Sequence, residues 1–322
     1  MRILTSYQDV PPDLKGAAVA IGNFDGVHRG HQALLICARA EARAVGAPAG
    51  VIVFEPHPRE FFRPGEPHFR LTPLERKIVL FERLGLDVAV VLTFNAALAG
   101  LSARQFIADV LVAGLGIRHA VIGYDFFFGK ARGGNPETMR SAGNEFGFGV
   151  TVVAPVAEAG EVFSSSAIRA RLAAGDVKGA AVALGHWWRV AGRVTGGAKR
   201  GTTLGFPTAN LTLPQGTALA HGIYAVRVVV GGDRFAGAAY LGTRPTFDDG
   251  AAVLEVFLFD FHGDLYGRVI EVEFLDFVRS DRRFSTTDAL RAQIAKDCER
   301  ASAMIRTIEA DSPLQGLPLS DA

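Results

Sequence analysis

The sequence predicts an α/β protein of two domains: a Rossmann-like, doubly wound parallel sheet, then a six-stranded antiparallel β-barrel with a C-terminal helix. Three observations carry this expectation. A length of 322 residues suits about two domains. Over residues 1–184, apolar β-rich runs alternate with capped helical segments, the pattern of strands buried on both faces. After Leu184-Gly185-His186-Trp187-Trp188 helical periodicity stops and short alternating strands follow, which places the second domain at residues 185–310. The tail 311–322, with Pro, Gly and Ser, is expected to be disordered.

The strands of the first domain are read at Ala17–Ile21, Val51–Phe54, Val88–Phe94, Ala120–Ile122 and Val150–Val153. The helices between them are marked by their caps. Thr72-Pro73-Leu74-Glu75 reads as a capping box with proline at the first helical position, and that helix closes near Leu84-Gly85. Ser102-Ala103-Arg104-Gln105 opens a helix towards Gly114, Ser165 or Ser166 another through Leu172, and Asp176 a further one. Strands of the second domain are read at Arg189–Val194, Ala209–Leu213, Tyr224–Val230, Phe235–Leu241, Val253–Phe259 and Val269–Phe274. Ser285-Thr286-Thr287-Asp288 starts the last helix, which runs through about Thr307.

Composition narrows the partners. Lys plus Arg number 34 and Asp plus Glu 33, and a net charge of +1 argues against nucleic acid as the main partner. Hydrophobic residues make up 49% of the chain, ample for packed cores. Uncharged stretches such as Val88–Ala103 are too short and too interrupted to span a membrane. Met1–Asp13 has no apolar signal region, and the two cysteines, Cys37 and Cys298, sit far apart in helical patterns. Buried thiols in a reducing compartment are the simplest account, so a cytoplasmic protein is expected.

The most informative stretch is Gly22-Asn23-Phe24-Asp25-Gly26-Val27-His28-Arg29-Gly30-His31, between an apolar strand and a helix. A helix N-terminus offers unpaired N–H groups and positive dipole, a ready site for phosphate. His28 and His31, three residues apart, are expected on one helix face, where imidazoles donate to phosphate oxygens as charge builds. Gly30 between them would let a ligand approach the backbone closely. An ordinary βα turn with exposed histidines is the plain alternative, disfavoured by the flanking strand, helix and glycines.

Other stretches follow the carboxyl ends of strands. In Phe54-Glu55-Pro56-His57-Pro58, prolines on both sides fix the backbone and would aim His57. In Gly123-Tyr124-Asp125-Phe126-Phe127-Phe128-Gly129, three consecutive Phe cannot all point inward, so an aromatic patch is expected for a planar ring, with Asp125 reading its polar edge. Ser164-Ser165-Ser166-Ala167-Ile168-Arg169 offers hydroxyls, a helix start and an Arg one turn later, suited to phosphate groups; an ordinary N-cap cluster would look the same.

In the second domain, residues 196–210 are glycine-rich and include Lys199 and Arg200 but no Gly-Lys-Ser/Thr, so they suit a flap over phosphates rather than a Walker loop. Thr208 and Asn210 fall on one face of a strand, two neutral oxygen ligands suited to Mg²⁺. Glu255 stands in the otherwise apolar run Val253–Phe259, where a carboxylate is costly unless it is paired or acts as a base for a hydroxyl nucleophile.

The H-x-G-H pattern resembles the nucleotidyltransferase superfamily signature. The longer G-N-F-D-G-V-H-x-G-H, with Phe54–Pro58, Gly123–Gly134 and Phe163–Arg169 in the same order, resembles the flavin adenylyltransferase module of prokaryotic bifunctional riboflavin kinase/FAD synthetases. Gly205-Phe206-Pro207-Thr208-Ala209-Asn210, Glu255 with Asp260–Gly267, and Arg279 with Phe284 resemble that family's riboflavin kinase module. The resemblance implies ATP-dependent phosphorylation of riboflavin to FMN, then adenylylation of FMN by ATP to FAD. It implies catalytic roles for His28, His31 and Glu255, and Mg²⁺ on Thr208 and Asn210. ATP would be bound by Gly22, Phe24, Gly30, Ser164, Ser165 and Arg169 in the first domain, and by Gly197, Lys199, Gly205 and Thr208 in the second. Flavin would be bound by His57, Asp125, Phe126, Phe128 and Arg279. The partners implied are riboflavin, FMN and ATP, with no nucleic acid and no membrane.

The chain departs from the family's pattern at Tyr240, usually Asn, at Phe257, usually His, and at Gly196 and Ala198, commonly His and Asp. These departures bear on flavin-side affinity and admit a rival in which the barrel only senses flavin. A second rival is an RNA-handling protein sharing H-x-G-H; the +1 charge and the lack of a K-M-S-K-S-like loop count against it.

Overall fold

The computed structural model describes residues 1–196, 205–214, 216–243 and 252–311. Of the expected tail 311–322, Asp311 ends the last helix and 312–322 lie outside the described residues, as do Gly197 and Lys199. By packing, the chain forms two compact units, one of Met1–Ser165 and one that starts at Ser166.

In the first unit β1 (Arg2–Leu4), β2 (Ala18–Ile21), β3 (Ala49–Glu55), β4 (Val88–Thr93), β5 (His119–Gly123) and β6 (Gly149–Val153) form one parallel sheet, ordered β1-β4-β3-β2-β5-β6. The unexpected strand is β1, three residues on the sheet edge and too short to show a period. The helices are α1 (Arg29–Ala44), α2 (Pro58–Phe62), α3 (Leu74–Arg83), α4 (Ala96–Gly100), α5 (Ala103–Gln105) and α6 (Pro136–Phe146), with α5 continued by a π-helical stretch Phe106–Gly114.

Strand residues alternate between two cores. Ala18, Ala20, Val51 and Val53 pack with Leu35 of α1 and Phe81 of α3. Val19, Ile21 and Ile52 pack on the other face with Ile107, Leu111 and Met139. From β2 the chain crosses to β3 on one side, while β5 lies on the other. The turn after β2 therefore opens at the topological switch point, where doubly wound sheets bind ligands.

The capping box at Ser102 forms as expected: Gln105 N–H donates to Ser102 Oγ and Ser102 N–H to Gln105 Oε1. The one expected at Thr72 does not. Pro73 is the N-cap of α3, and the Thr72 N–H is committed instead to the buried Asp25 carboxylate at 3.0 Å. A short hairpin of β7 (Ala157–Glu158) and β8 (Glu161–Val162) ends the unit.

The second unit opens with α7 (Ser165–Ala173) and α8 (Val177–Leu184), which pack with it from Ser166 onward, although the sequence boundary was expected after Leu184. Then β9 (Arg189–Arg193), β10 (Ala209–Thr212), β11 (Gly222–Val230), β12 (Asp233–Thr243), β13 (Ala252–Leu258) and β14 (Val269–Ser280) pair antiparallel in the order β10-β13-β12-β11-β14-β9. Thr195 N–H donates to Asn210 O at 2.9 Å and bridges the two edge strands, so the barrel is nearly closed.

The interior is filled by Leu211, Tyr224, Val226, Leu254, Val256 and Phe274, each at most 1% exposed. Outside, α9 (Thr287–Asp311) packs Ala301, Ile305 and Ile308 over Ala225, Ala238, Leu275 and Val278. That cover explains why β14 runs past the expected Phe274: its second half pairs with β11 through two register shifts beneath the helix.

Arg189, Glu273 and Arg227 form one cross-strand row over β9, β14 and β11, and the buried Glu273 carboxylate accepts from both guanidinium groups. Glu273→Ala removes the shared counter-charge and should cost about 3–5 kcal/mol of barrel stability. Urea unfolding followed by Trp188 fluorescence measures this.

Candidate active sites

Between β2 and α1 the chain makes a turn that few sequences hold. Phe24 and Val27 adopt φ of 48° and 43°, costly for such side chains. Burial and anchors from three other segments hold them there. The Asp25 carboxylate, 3% exposed, accepts from the N–H groups of Leu71 at 3.2 Å and Thr72 at 3.0 Å. Lys77 Nζ donates to Asn23 O, and Ser165 Oγ to Asp25 O, both at 2.8 Å.

The histidines are joined differently from the expected helical pair. His28 is the N-cap of α1: its Nδ1 accepts from the His31 N–H at 3.3 Å, and the two rings stack 3.6 Å apart. Acceptance at Nδ1 places the proton of a neutral His28 on Nε2, which is then a donor. Burial, followed by the charges of His28 and Lys77, pushes His31 well below its ordinary value of 6.5, so its imidazole is neutral near pH 7. His31 Nδ1 is buried and has no hydrogen-bond partner among the described residues. The first turn of α1 has no acidic residue. The two imidazoles, the backbone N–H groups and the positive dipole together make a site that can donate to an anion.

Several residues assigned to ATP also shape the turn. A side chain at Gly30 would meet the His28 ring at 3.1 Å and Phe163 O at 3.3 Å, so the missing side chain makes room for protein. Gly22 likewise makes room for the Phe24 ring, and Phe24 is itself 1% exposed. Ser164 precedes α7 and Ser165 begins it, while Arg169 lies one turn along, among residues packed with the second unit.

Beyond the carboxyl ends of β3, β4 and β5, Phe62, Phe94, Phe54, Phe106, Phe128 and Phe126 make successive ring contacts with centroids 5.2–6.3 Å apart. The Phe triplet alternates: Phe126 and Phe128 stack inward, and Phe127 turns outward under Arg132. Phe128 belongs to the core and Asp125 is exposed. His57 caps α2, its Nδ1 accepting from the Arg59 N–H at 3.1 Å, and its ring lies 4.7 Å from that of His68. Burial, then the charge of His68, pushes His57 down to about 4.

On the barrel, register supplies what motif reading could not. Asn210 pairs with Glu255 and Glu255 with Tyr240, so residues of β10, β13 and β12 form one row on the outer face. The apolar run around Glu255 divides between the two faces of the strand. Leu254, Val256 and Leu258 point inward, while Glu255 is half-buried on the outer face beside Val253 and Phe257. Phe206 packs edge-on against Phe257 at 5.4 Å. Thr208 is half-buried and Asn210 buried, its Nδ2 donating to Thr208 O at 3.4 Å; Gly205 is exposed.

Arg279, assigned to flavin, has its guanidinium fork committed to Asp297 of α9, with contacts of 2.6–3.1 Å, and its Nη1 to Ser280 O. Tyr240 OH donates to Asp281 at 3.1 Å. Among the described residues no group of three or more His, Cys, Asp or Glu could hold a metal ion. Asp25 and Lys77 are the residues to which motif reading gave no role. Only Asp25, inside a glycine-rich turn, carried a local signal.

Two family descriptions match the chain: FAD synthetase over residues 10–167 and riboflavin kinase over residues 184–305. A bifunctional riboflavin kinase/FMN adenylyltransferase of Pseudomonas fluorescens is 41% identical over 305 residues, covering 94% of this chain and 98% of that protein. The Bacillus subtilis protein of the same name is 40% identical over 290 residues, covering 88% and 91%. A crystal structure described as a macrolide-efflux protein from Streptococcus pneumoniae matches with a TM-score of 0.81 at 31% identity, over 94% of this chain and 98% of that one. Among the described residues of this chain, no helix is long and apolar enough to cross a membrane.

The depressed His57 makes stability pH-dependent. The unfolded chain takes a proton near the ordinary 6.5 and the folded chain only near 4, so stability is full above about 6.5 and falls as pH drops towards 4. Asn caps helices well and does not titrate. His57→Asn should therefore flatten this part of the melting-temperature profile between pH 7 and 4 while leaving the pH 7 value nearly unchanged.

Proposed function

The chain belongs to the bifunctional riboflavin kinase/FMN adenylyltransferase family, and we propose that its two reactions are divided between the two candidate sites. It phosphorylates riboflavin to FMN and adenylylates FMN to FAD, with ATP as the donor.

In this reading the turn at the switch point carries adenylylation. A phosphate oxygen of FMN attacks the α-phosphorus of ATP, the bond to the bridging oxygen breaks, and pyrophosphate leaves. The attacking phosphate is already ionised, so the step needs donors and no base. The stacked His28–His31 pair at the start of α1, with His31 held neutral mainly by burial, is the observation that supports this assignment.

The outer face of the barrel would carry phosphorylation. Glu255 takes the proton of the ribityl 5′-hydroxyl as its oxygen attacks the γ-phosphorus, and ADP leaves. Thr208 and Asn210 would hold Mg²⁺: hydroxyl and amide oxygens beside a carboxylate fit a hard cation, which when bound neutralises phosphate charge. The row Tyr240–Glu255–Asn210 supports that placement. The riboflavin, FMN and ATP involved are small molecules, and we place the enzyme in the cytoplasm.

His28→Ala and His31→Ala should each lower FAD formation from FMN roughly 10²- to 10³-fold, the usual loss for a preorganised donor, and leave riboflavin phosphorylation intact. Glu255→Gln should lower phosphorylation by about two to four orders of magnitude with FAD formation from supplied FMN unchanged. Chromatographic separation of FMN and FAD measures both. Normal phosphorylation by Glu255→Gln would remove the base from this face and favour a flavin-sensing barrel.

A further inference from the structure

The first residue of α1 is a cation where its own helix disfavours one. A positive side chain at a helix N-terminus opposes the dipole, and the first turn of α1 supplies no acid to offset Arg29. Its counter-charge comes from far along the chain. The guanidinium pairs with Glu158 of β7 and sits 4.5 Å from the centre of the Phe163 ring.

The hairpin is built to present that carboxylate. Ala159 and Gly160 turn it at φ of 50° and 84°, and Phe163 N–H closes it on Val156 O at 3.0 Å. Glu158, the partner of Arg29, stands opposite Glu161 across the hairpin, so two like charges face each other. Phe163 O lies against Gly30, where the His28 ring also packs, so hairpin and histidine pair meet at one point. Side chains in a first helical turn lean back towards the helix N-terminus, the end at which the anion cradle opens, and the Arg29 side chain remains 37% exposed.

We propose that Arg29 binds the triphosphate tail of ATP during adenylylation, and that Glu158 serves as its counter-ion until the nucleotide arrives. This rests on assigning adenylylation to the turn. A guanidinium fork matches two phosphate oxygens, and a tail of roughly four negative charges outcompetes one half-exposed carboxylate. As the α–β bridging bond breaks, charge gathers on the departing pyrophosphate, and the donor at Arg29 strengthens with it.

The test uses full-length Arg29→Ala, Arg29→Lys, Glu158→Gln and His28→Ala, assayed for FAD formation from FMN over a range of ATP, with riboflavin phosphorylation and melting temperature as folding controls. Arg29→Ala should lower kcat/KM for ATP roughly ten- to hundredfold, as for a lost charge-assisted hydrogen bond, and Arg29→Lys should recover part of it. Glu158→Gln should act in the opposite direction, raising kcat/KM for ATP roughly two- to fivefold by releasing an exposed pair. Two variants that both lower kcat/KM would show a latch that merely holds the hairpin, and overturn the proposal. So would an Arg29→Ala enzyme with normal ATP dependence alongside an impaired His28→Ala enzyme. Normal FAD formation by His28→Ala would instead remove adenylylation from the turn altogether.

Discussion

The buried Asp25 carboxylate is the constraint on which the N-terminal site rests. It lies inside a turn whose Phe24 and Val27 occupy left-handed backbone conformations, and it is satisfied by the N–H groups of Leu71 and Thr72, far along the chain. A buried carboxylate without such donors would be too costly to keep. Closing the turn on the loop before α3 also brings Lys77 beneath Asn23 O. Burial lowers the Lys77 pKa, and Asp25 works against that shift. Its remaining positive charge in turn helps keep His31 unprotonated. One carboxylate thus fixes the backbone, positions a lysine and, through it, biases a histidine towards the form that donates without charge.

The barrel depends on register in the same way that the sheet depends on this anchor. A slip of one residue in β13 would send Glu255 into the interior and Leu254 to the outside. The closed cycle of antiparallel pairs, with the Thr195–Asn210 bridge across the seam, opposes such a slip. Across the barrel, the Arg279–Asp297 pair fastens α9 to the end of β14 and so fixes the wall beside Tyr240 and Asp281.

Much of this was legible in the sequence because it is local. Strand runs, the Ser102 capping box, the glycine-rich turn and six barrel strands all follow from patterns within about ten residues. What was not legible is set by partners remote in sequence. Thr72 loses its capping role to Asp25, forty-seven residues away. Arg279 is paired with Asp297 of α9, and Gly30 makes room for His28 and Phe163. The apolar run around Glu255 does not by itself tell which residues face the interior; pairing with β10 and β12 does. Neither β1 nor the β7–β8 hairpin is long enough for periodicity to register.

The bridge at the seam has a consequence for motion. The strand that carries Asn210 is four residues long, paired along its length only with β13, and joined to β9 through the bridge at Thr195. Protection of backbone amides follows local opening, and opening is easiest where a stave is short and held mainly on one side. The strand proposed to hold the metal is therefore the stave whose amides should exchange before those of the other barrel strands, so the outer face around Asn210 can loosen while the packed interior stays closed.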